Sequence, residues 1–153
     1  KAEAEKGILD LSNGVVLRVA KVVHPYQSLL ADWIVKLKAD QVISPFSDMW
    51  FAPVSMNFVC KIIDRLIVSR ASGIWHVSST YEITYQEAAF HIAKCLGANP
   101  NNIKARSFKE TRRAHDEAVP RYTSLDMEKT SSLGIYPEDP IETIHKSICL
   151  SEL

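Results

Sequence analysis

His91 and Cys95 stand four residues apart in the run TYQEAAFHIAKCLG. On a helix that spacing puts an imidazole and a thiol on one face, and both are donors that suit a metal such as zinc. A metal site there would need two further donors, and the other histidines show no diagnostic spacing. The ordinary reading of the pair is helix surface. Ser47, Asp48 and His76 contain the letters of a hydrolytic triad, but no nucleophile-elbow glycines flank the serine. Gly7, Gly14, Gly73, Gly97 and Gly134 are isolated, so none builds a phosphate-cradling loop. Trp50 and Phe51 precede Pro53 in a loop-like stretch before a helix. Aromatics so placed can line a ligand cleft or simply cover the core. Arg106, Arg112, Arg113 and Arg121 gather in one polar stretch. Their guanidinium forks suit phosphate oxygens, or they can pair with Glu110, Asp116 and Glu117 on a solvated face.

The chain that must position these groups has 153 residues, 46% of them hydrophobic, the size and composition of one domain with a real core. Eighteen basic residues balance eighteen acidic ones, which argues against a broad nucleic-acid surface. No apolar run reaches the roughly 18 residues of a membrane span. Cys60, Cys95 and Cys149 are far apart and odd in number, which reads as free thiols in a reducing, cytoplasmic setting.

KAEAEKGILD has helical composition but no cap before it, as if the chain opened inside an element. Asn13-Gly14 marks a turn, and Val15 to Val23 is nearly continuous in apolar residues, as expected of a strand covered on both faces of a parallel sheet. Apolar spacing predicts helices over 26–39 and 54–69. QVISPF and IKARS read as short strands, SDMWFAP as loop, and IWHVSS as a strand. Thr84 and Glu87 form a capping box for a helix that Gly97 stops. FKETRRAHDEAV is polar helix or loop. Asp126 can cap a short helix ended by Gly134, and Asp139-Pro140 opens a last helix. The fold class is α/β.

Several segments in order resemble the extended short-chain dehydrogenase/reductase superfamily, the NAD-dependent epimerases and dehydratases. KAEAEKGIL…GVVLRVAKVV is similar to the stretch that begins at the lysine of that superfamily's YxxxK motif. FSDMWFAPVSMNFVCKIIDRLI, GIWHVSSTYEITYQEAAFHIAKCLG and PRYTSLDMEKTSSLGIYPEDPIETI resemble successive pieces of sugar-nucleotide reductases of the dTDP-4-dehydrorhamnose reductase type. Two positions depart from the pattern. Asn57 stands where related epimerases usually carry an aspartate, and Pro120-Arg121 replaces an Arg-Pro order.

The resemblance implies the C-terminal, substrate-binding portion of an extended Rossmann-type reductase. Residues 1–25 would be a leftover helix and strand of the nucleotide-binding domain, and 26–153 the substrate-binding portion. It implies hydride transfer between NAD or NADP and a carbonyl carbon of a nucleotide-linked sugar. The cofactor would be held mainly by an N-terminal half lying before Lys1. Lys1 would be the catalytic lysine, lowering the pKa of a tyrosine four residues upstream and holding the nicotinamide ribose. His24 and Pro25, at the carboxyl end of a strand, would lie on the cofactor side, and Trp50, Phe51 and Arg121 on the substrate side. The implied partners are the nucleotide-sugar and the N-terminal half, with homo-oligomerisation left open and no nucleic acid or membrane. A non-catalytic regulatory subunit of the same fold is the alternative, and a free-standing scaffold domain a further one.

Overall fold

The computed structural model describes residues 2–24, 28–111 and 122–149. The first helix, α1 (Ala2–Leu9), buries no residue and is tied to the following strand by Arg18, whose Nη2 lies 2.6 Å from the Glu5 carboxylate. The turn after it must hold a glycine. A Cβ on Gly14 would collide with the Ile8 carbonyl, and the Gly14 carbonyl accepts the Gly73 amide at 2.8 Å.

The apolar run 15–23 is two strands rather than one: β1 (Val15–Val19) and β2 (Lys21–Val23). The break at Ala20 arises because the run has two parallel partners. β1 pairs with β5 (Gly73–Val77), and β2 pairs with β4 (Pro53–Ser55). Nor is the run covered on both faces throughout, since only Val16 and Val23 of it are buried. β3 (Trp50–Phe51) pairs antiparallel with β6 (Ile83–Thr84), so the stretch expected to be loop, 47–53, contributes to two strands. The two short strands expected at 41–46 and 103–107 reduce to parallel bridges, Ile43 with Ile103 and Phe46 with Arg106. Pro45 offers no amide to a continuous ladder.

The expected helices form, and α3, α4 and α7 have local side-chain caps. α2 (Ser28–Lys38) buries Leu30, Trp33, Ile34 and Leu37. α3 (Met56–Val68) starts where the Ser55 hydroxyl accepts the Phe58 amide at 3.0 Å and buries Phe58, Val59, Ile62 and Leu66. α4 (Tyr85–Leu96) has the full capping box and ends at Gly97 in left-handed conformation, φ 63°. Phe108–Thr111 is a single turn, α5. α6 (Glu128–Ser131) begins where Asp126 accepts the Glu128 amide, and α7 (Pro140–Ile144) begins where Asp139 accepts the Ile141 and Glu142 amides. The chain then continues into a π-helical turn, His145–Cys149.

These elements enclose two cores. One gathers α2, α4, Phe51, Ile83, Ile103 and Ile144 around Val23. The other gathers α3, Val54, Trp75, Val77 and Met127, with Val15, Leu17, Val19 and Val22 packed against it. The second core thus joins the first strands to segments far along the chain.

A candidate ligand site beyond two parallel strands

The carboxyl ends of β2 and β4 lie side by side, because Val23 is in register with Ser55. Beyond them opens a cavity of about 420 Å³ whose lining includes His24, Ser55, Asn57, Lys61, Glu142 and Lys146. In open α/β sheets ligands seat in this position, outside the carboxyl ends of the strands. His24 is there because it is the residue that leaves β2. Met56 and Asn57 are there because the Ser55 cap starts α3 at the cavity rim. The first turn of α3 carries no acidic residue; the Ser55 hydroxyl takes the Phe58 amide, which leaves the Met56 and Asn57 amides and the positive end of the dipole toward an anion. Lys146 is paired with Glu142 at 2.7 Å. Lys61 lines the same cavity with no carboxylate partner among the described residues. Glu138 closes another side, its carboxylate accepting the Ser55 amide at 3.4 Å and lying 3.4 Å from the Thr143 hydroxyl, which donates to the Asp139 carbonyl at 2.8 Å. The cavity can therefore hold a ligand with a negative group toward Lys61 and the α3 terminus, and hydroxyls toward Glu138 and Thr143.

Of the residues singled out in the sequence, His24 lines this cavity. Lys1, Pro25 and Arg121 lie outside the described residues, as do Arg112 and Arg113. Strand alternation separates Trp50 from Phe51: the indole is 40% exposed, the Phe51 ring 2%. Phe51 stacks on Tyr85 with ring centroids 4.5 Å apart and belongs to the core, so it offers no surface to a ligand. Neither residue lines the cavity at His24. Arg106 caps the Phe46 ring at 4.6 Å.

Ser47, Asp48 and His76 do not form a relay. The Ser47 hydroxyl donates to the Arg106 carbonyl, Asp48 accepts from Ser107, Phe108 and Lys109, and His76 Nδ1 contacts the Asp126 carbonyl. Those three donors hold the Asp48 carboxyl below its usual range, the Ser107 hydroxyl most strongly. Sequence reasoning found Asn57 only through its departure from a family pattern, and it missed Lys61 and Thr143. The signal for Lys61 was its place one turn along the helix from Asn57.

The comparisons with known proteins agree with the resemblance carried by the sequence segments. No protein-family model matches the chain. The chain is 27% identical over 140 residues to a dTDP-4-keto-6-deoxy-D-glucose reductase of Streptomyces niveus, a match covering 90% of this chain and 48% of the relative. A dTDP-4-dehydrorhamnose reductase structure from Clostridium acetobutylicum superposes with a TM-score of 0.82 at 17% identity, over 100% of this chain and 54% of that one. The dTDP-4-dehydrorhamnose reductase of Bacillus anthracis, in complex with NADP, gives 0.75 at 20% identity, over 91% and 48%. The chain thus has the fold of about half of a Rossmann-type reductase, and spans about half the length of the relatives it matches. No helix among the described residues is long and apolar enough to cross a membrane.

Proposed function

We propose that this chain is the substrate-side portion of an NAD(P)-dependent oxidoreductase or epimerase acting at a carbonyl of a nucleotide-linked sugar. The observation that carries the reading is the match over 90% of the chain to a sugar-nucleotide reductase. The cavity supports it by position and chemistry. A nucleotide-sugar brings a diphosphate for Lys61 and the α3 terminus, and sugar hydroxyls for Glu138 and Thr143.

The cofactor, NAD or NADP, is held mainly by sequence outside these residues, because the isolated glycines here make no pyrophosphate turn. When bound, the cofactor supplies or accepts the hydride. The chain's own residues orient the sugar. His24 and Pro25 are assigned to the cofactor and Arg121 to the phosphates by the resemblance alone, and Trp50 is the accessible member of the aromatic pair. Lys1 is the catalytic lysine of the proposal. Its charge favours the ionised form of an upstream tyrosine and so eases proton transfer at the sugar oxygen.

The division of labour drawn at residue 25 is refined in this reading. The second core, built on β1, β4, β5 and α3, belongs with the nucleotide-binding unit, and the first core with the substrate. The nucleotide-binding portion itself is the proposed partner, covering the apolar hollow of about 470 Å³ between β1 and α3 that Val15, Leu17, Ile63 and Ile67 line. Free Cys60 and Cys95 support a cytoplasmic, reducing location.

The test is nicotinamide absorbance on the full-length protein, with a dTDP-linked 4-keto-6-deoxy sugar and NADPH or NADH. Sugar-dependent oxidation of the cofactor, lost in Lys1→Met, is the expected result. No oxidation with either cofactor overturns the reductase reading, and no binding of a nucleotide-linked sugar by calorimetry overturns the proposal as a whole.

A further inference from the structure

The pair His91 and Cys95 acquires a third donor in the fold. α4 presents both on one face, and the turn that continues α7 brings in His145 from 50 residues further on. Cys95 Sγ lies 3.5 Å from His91 Nε2 and 3.3 Å from His145 Nδ1. All three donor atoms are within 4.8 Å of one another, and the two imidazoles meet edge to face with centroids 5.7 Å apart. A tetrahedral zinc ion with Zn–N of about 2.0–2.1 Å and Zn–S of about 2.3 Å sets its donors about 3.3–3.6 Å apart. The sulfur–nitrogen edge is the long one, about 3.5–3.6 Å; the separation to His91 matches it and the one to His145 falls about 0.2 Å short.

We propose that His91, Cys95 and His145 form a binding site for a divalent transition metal of the zinc type, independent of the nucleotide-sugar cavity. The donor set favours zinc or cobalt over magnesium or calcium, because a thiolate and imidazoles are softer than the oxygen ligands the latter require. Three protein donors leave a fourth position to water or an exogenous ligand. The metal fastens α7 to α4. α7 carries Glu142 and Thr143, which line the cavity at His24, so the ion braces one wall of that cavity without touching its contents. The turn that delivers His145 is π-helical, a local geometry that recurs at functional sites. Without metal, thiol–imidazole hydrogen bonds would hold the same trio, and titration separates the two.

Cobalt(II) added to the metal-free full-length protein is the probe. The expected result is binding with a thiolate-to-metal charge-transfer band in the near ultraviolet. The band is absent in Cys95→Ser and unchanged in Cys60→Ser, and the affinity falls at least about tenfold in His145→Gln. Zinc should compete the cobalt out and raise the melting temperature of the wild type. No band in the wild type, or the same band in Cys95→Ser, overturns the site. Should Cys95→Ser fail to fold, the decision passes to His145→Gln, where unchanged cobalt affinity overturns it.

Discussion

The Ala20 amide donates to the Val77 carbonyl at 2.8 Å, and the next amide, of Lys21, donates to Ala52 at 3.2 Å. At this one peptide the chain changes partners, from β5 to β4. The change delivers Val23 and His24 beside Ser55, at the rim of the cavity. Ala20→Pro removes the donor and strands the Val77 carbonyl, a cost of about 1–3 kcal/mol. Thermal unfolding should show a melting temperature lowered by several degrees. An unchanged value would mean that the partner change at Ala20 is not structurally important.

Local signals were legible in the sequence where neighbours in the chain decide the structure. The Thr84–Glu87 capping box and the Asp139-Pro140 start of α7 depend on three or four consecutive residues, whereas α3, expected from Val54, starts two residues later behind its Ser55 cap. What depends on distant partners was not legible. The split of the 15–23 run is dictated by β4 and β5. The burial of Phe51 follows from its stacking on Tyr85. His145 joins His91 and Cys95 only because α7 packs on α4. The site was half legible. The position of His24 at a strand's carboxyl end could be read, but Lys61 and Thr143 needed the fold to bring α3 and α7 to the same opening.

The capping box gives a second prediction. Thr84 accepts the Glu87 amide at 3.1 Å, while Glu87 accepts the Thr84 amide at 2.6 Å. Thr84→Ala should cost about 1 kcal/mol, or about 2–4 °C in melting temperature for a chain of this size. Differential scanning calorimetry of the two proteins checks it.

Asp139 gives a pH dependence. The Glu142 amide most strongly, helped by the Tyr81 hydroxyl, the Ile141 amide and the nearby His91, holds its carboxyl below the usual range, although desolvation, second in size to the Glu142 amide, opposes them. Because the folded pKa is depressed, the contribution is present above the unfolded value of about 3.9 and is lost as pH falls through the folded one. Wild type should therefore exceed Asp139→Leu in stability near neutral pH by an N-cap's worth, about 0.5–2 kcal/mol. The gap should narrow below pH of about 4. Urea midpoints at several pH values give the comparison, and a gap independent of pH would contradict the assignment.

Gly14 sits where the Ile8 carbonyl leaves no room for a Cβ. Gly14→Ala should displace the end of α1 and cost about 1–3 kcal/mol, as overpacking does. Gly7→Ala, where nothing lies within 4 Å, should stabilise or leave stability unchanged. Chemical denaturation of the pair separates a steric requirement from a generic effect of adding a methyl group.

The central claim is that the nucleotide-sugar seats in the cavity beyond β2 and β4, with its phosphates at Lys61 and the start of α3. The most direct measurement compares Michaelis constant and melting temperature for Lys61→Ala and wild type in the full-length protein. A charge-assisted bond to phosphate is worth about 1.5–3 kcal/mol, so the account predicts a Michaelis constant for the sugar nucleotide raised about tenfold to a hundredfold. The constant for the cofactor and the melting temperature should hardly change. An unchanged sugar-nucleotide constant in Lys61→Ala would contradict the placement of the substrate in this cavity.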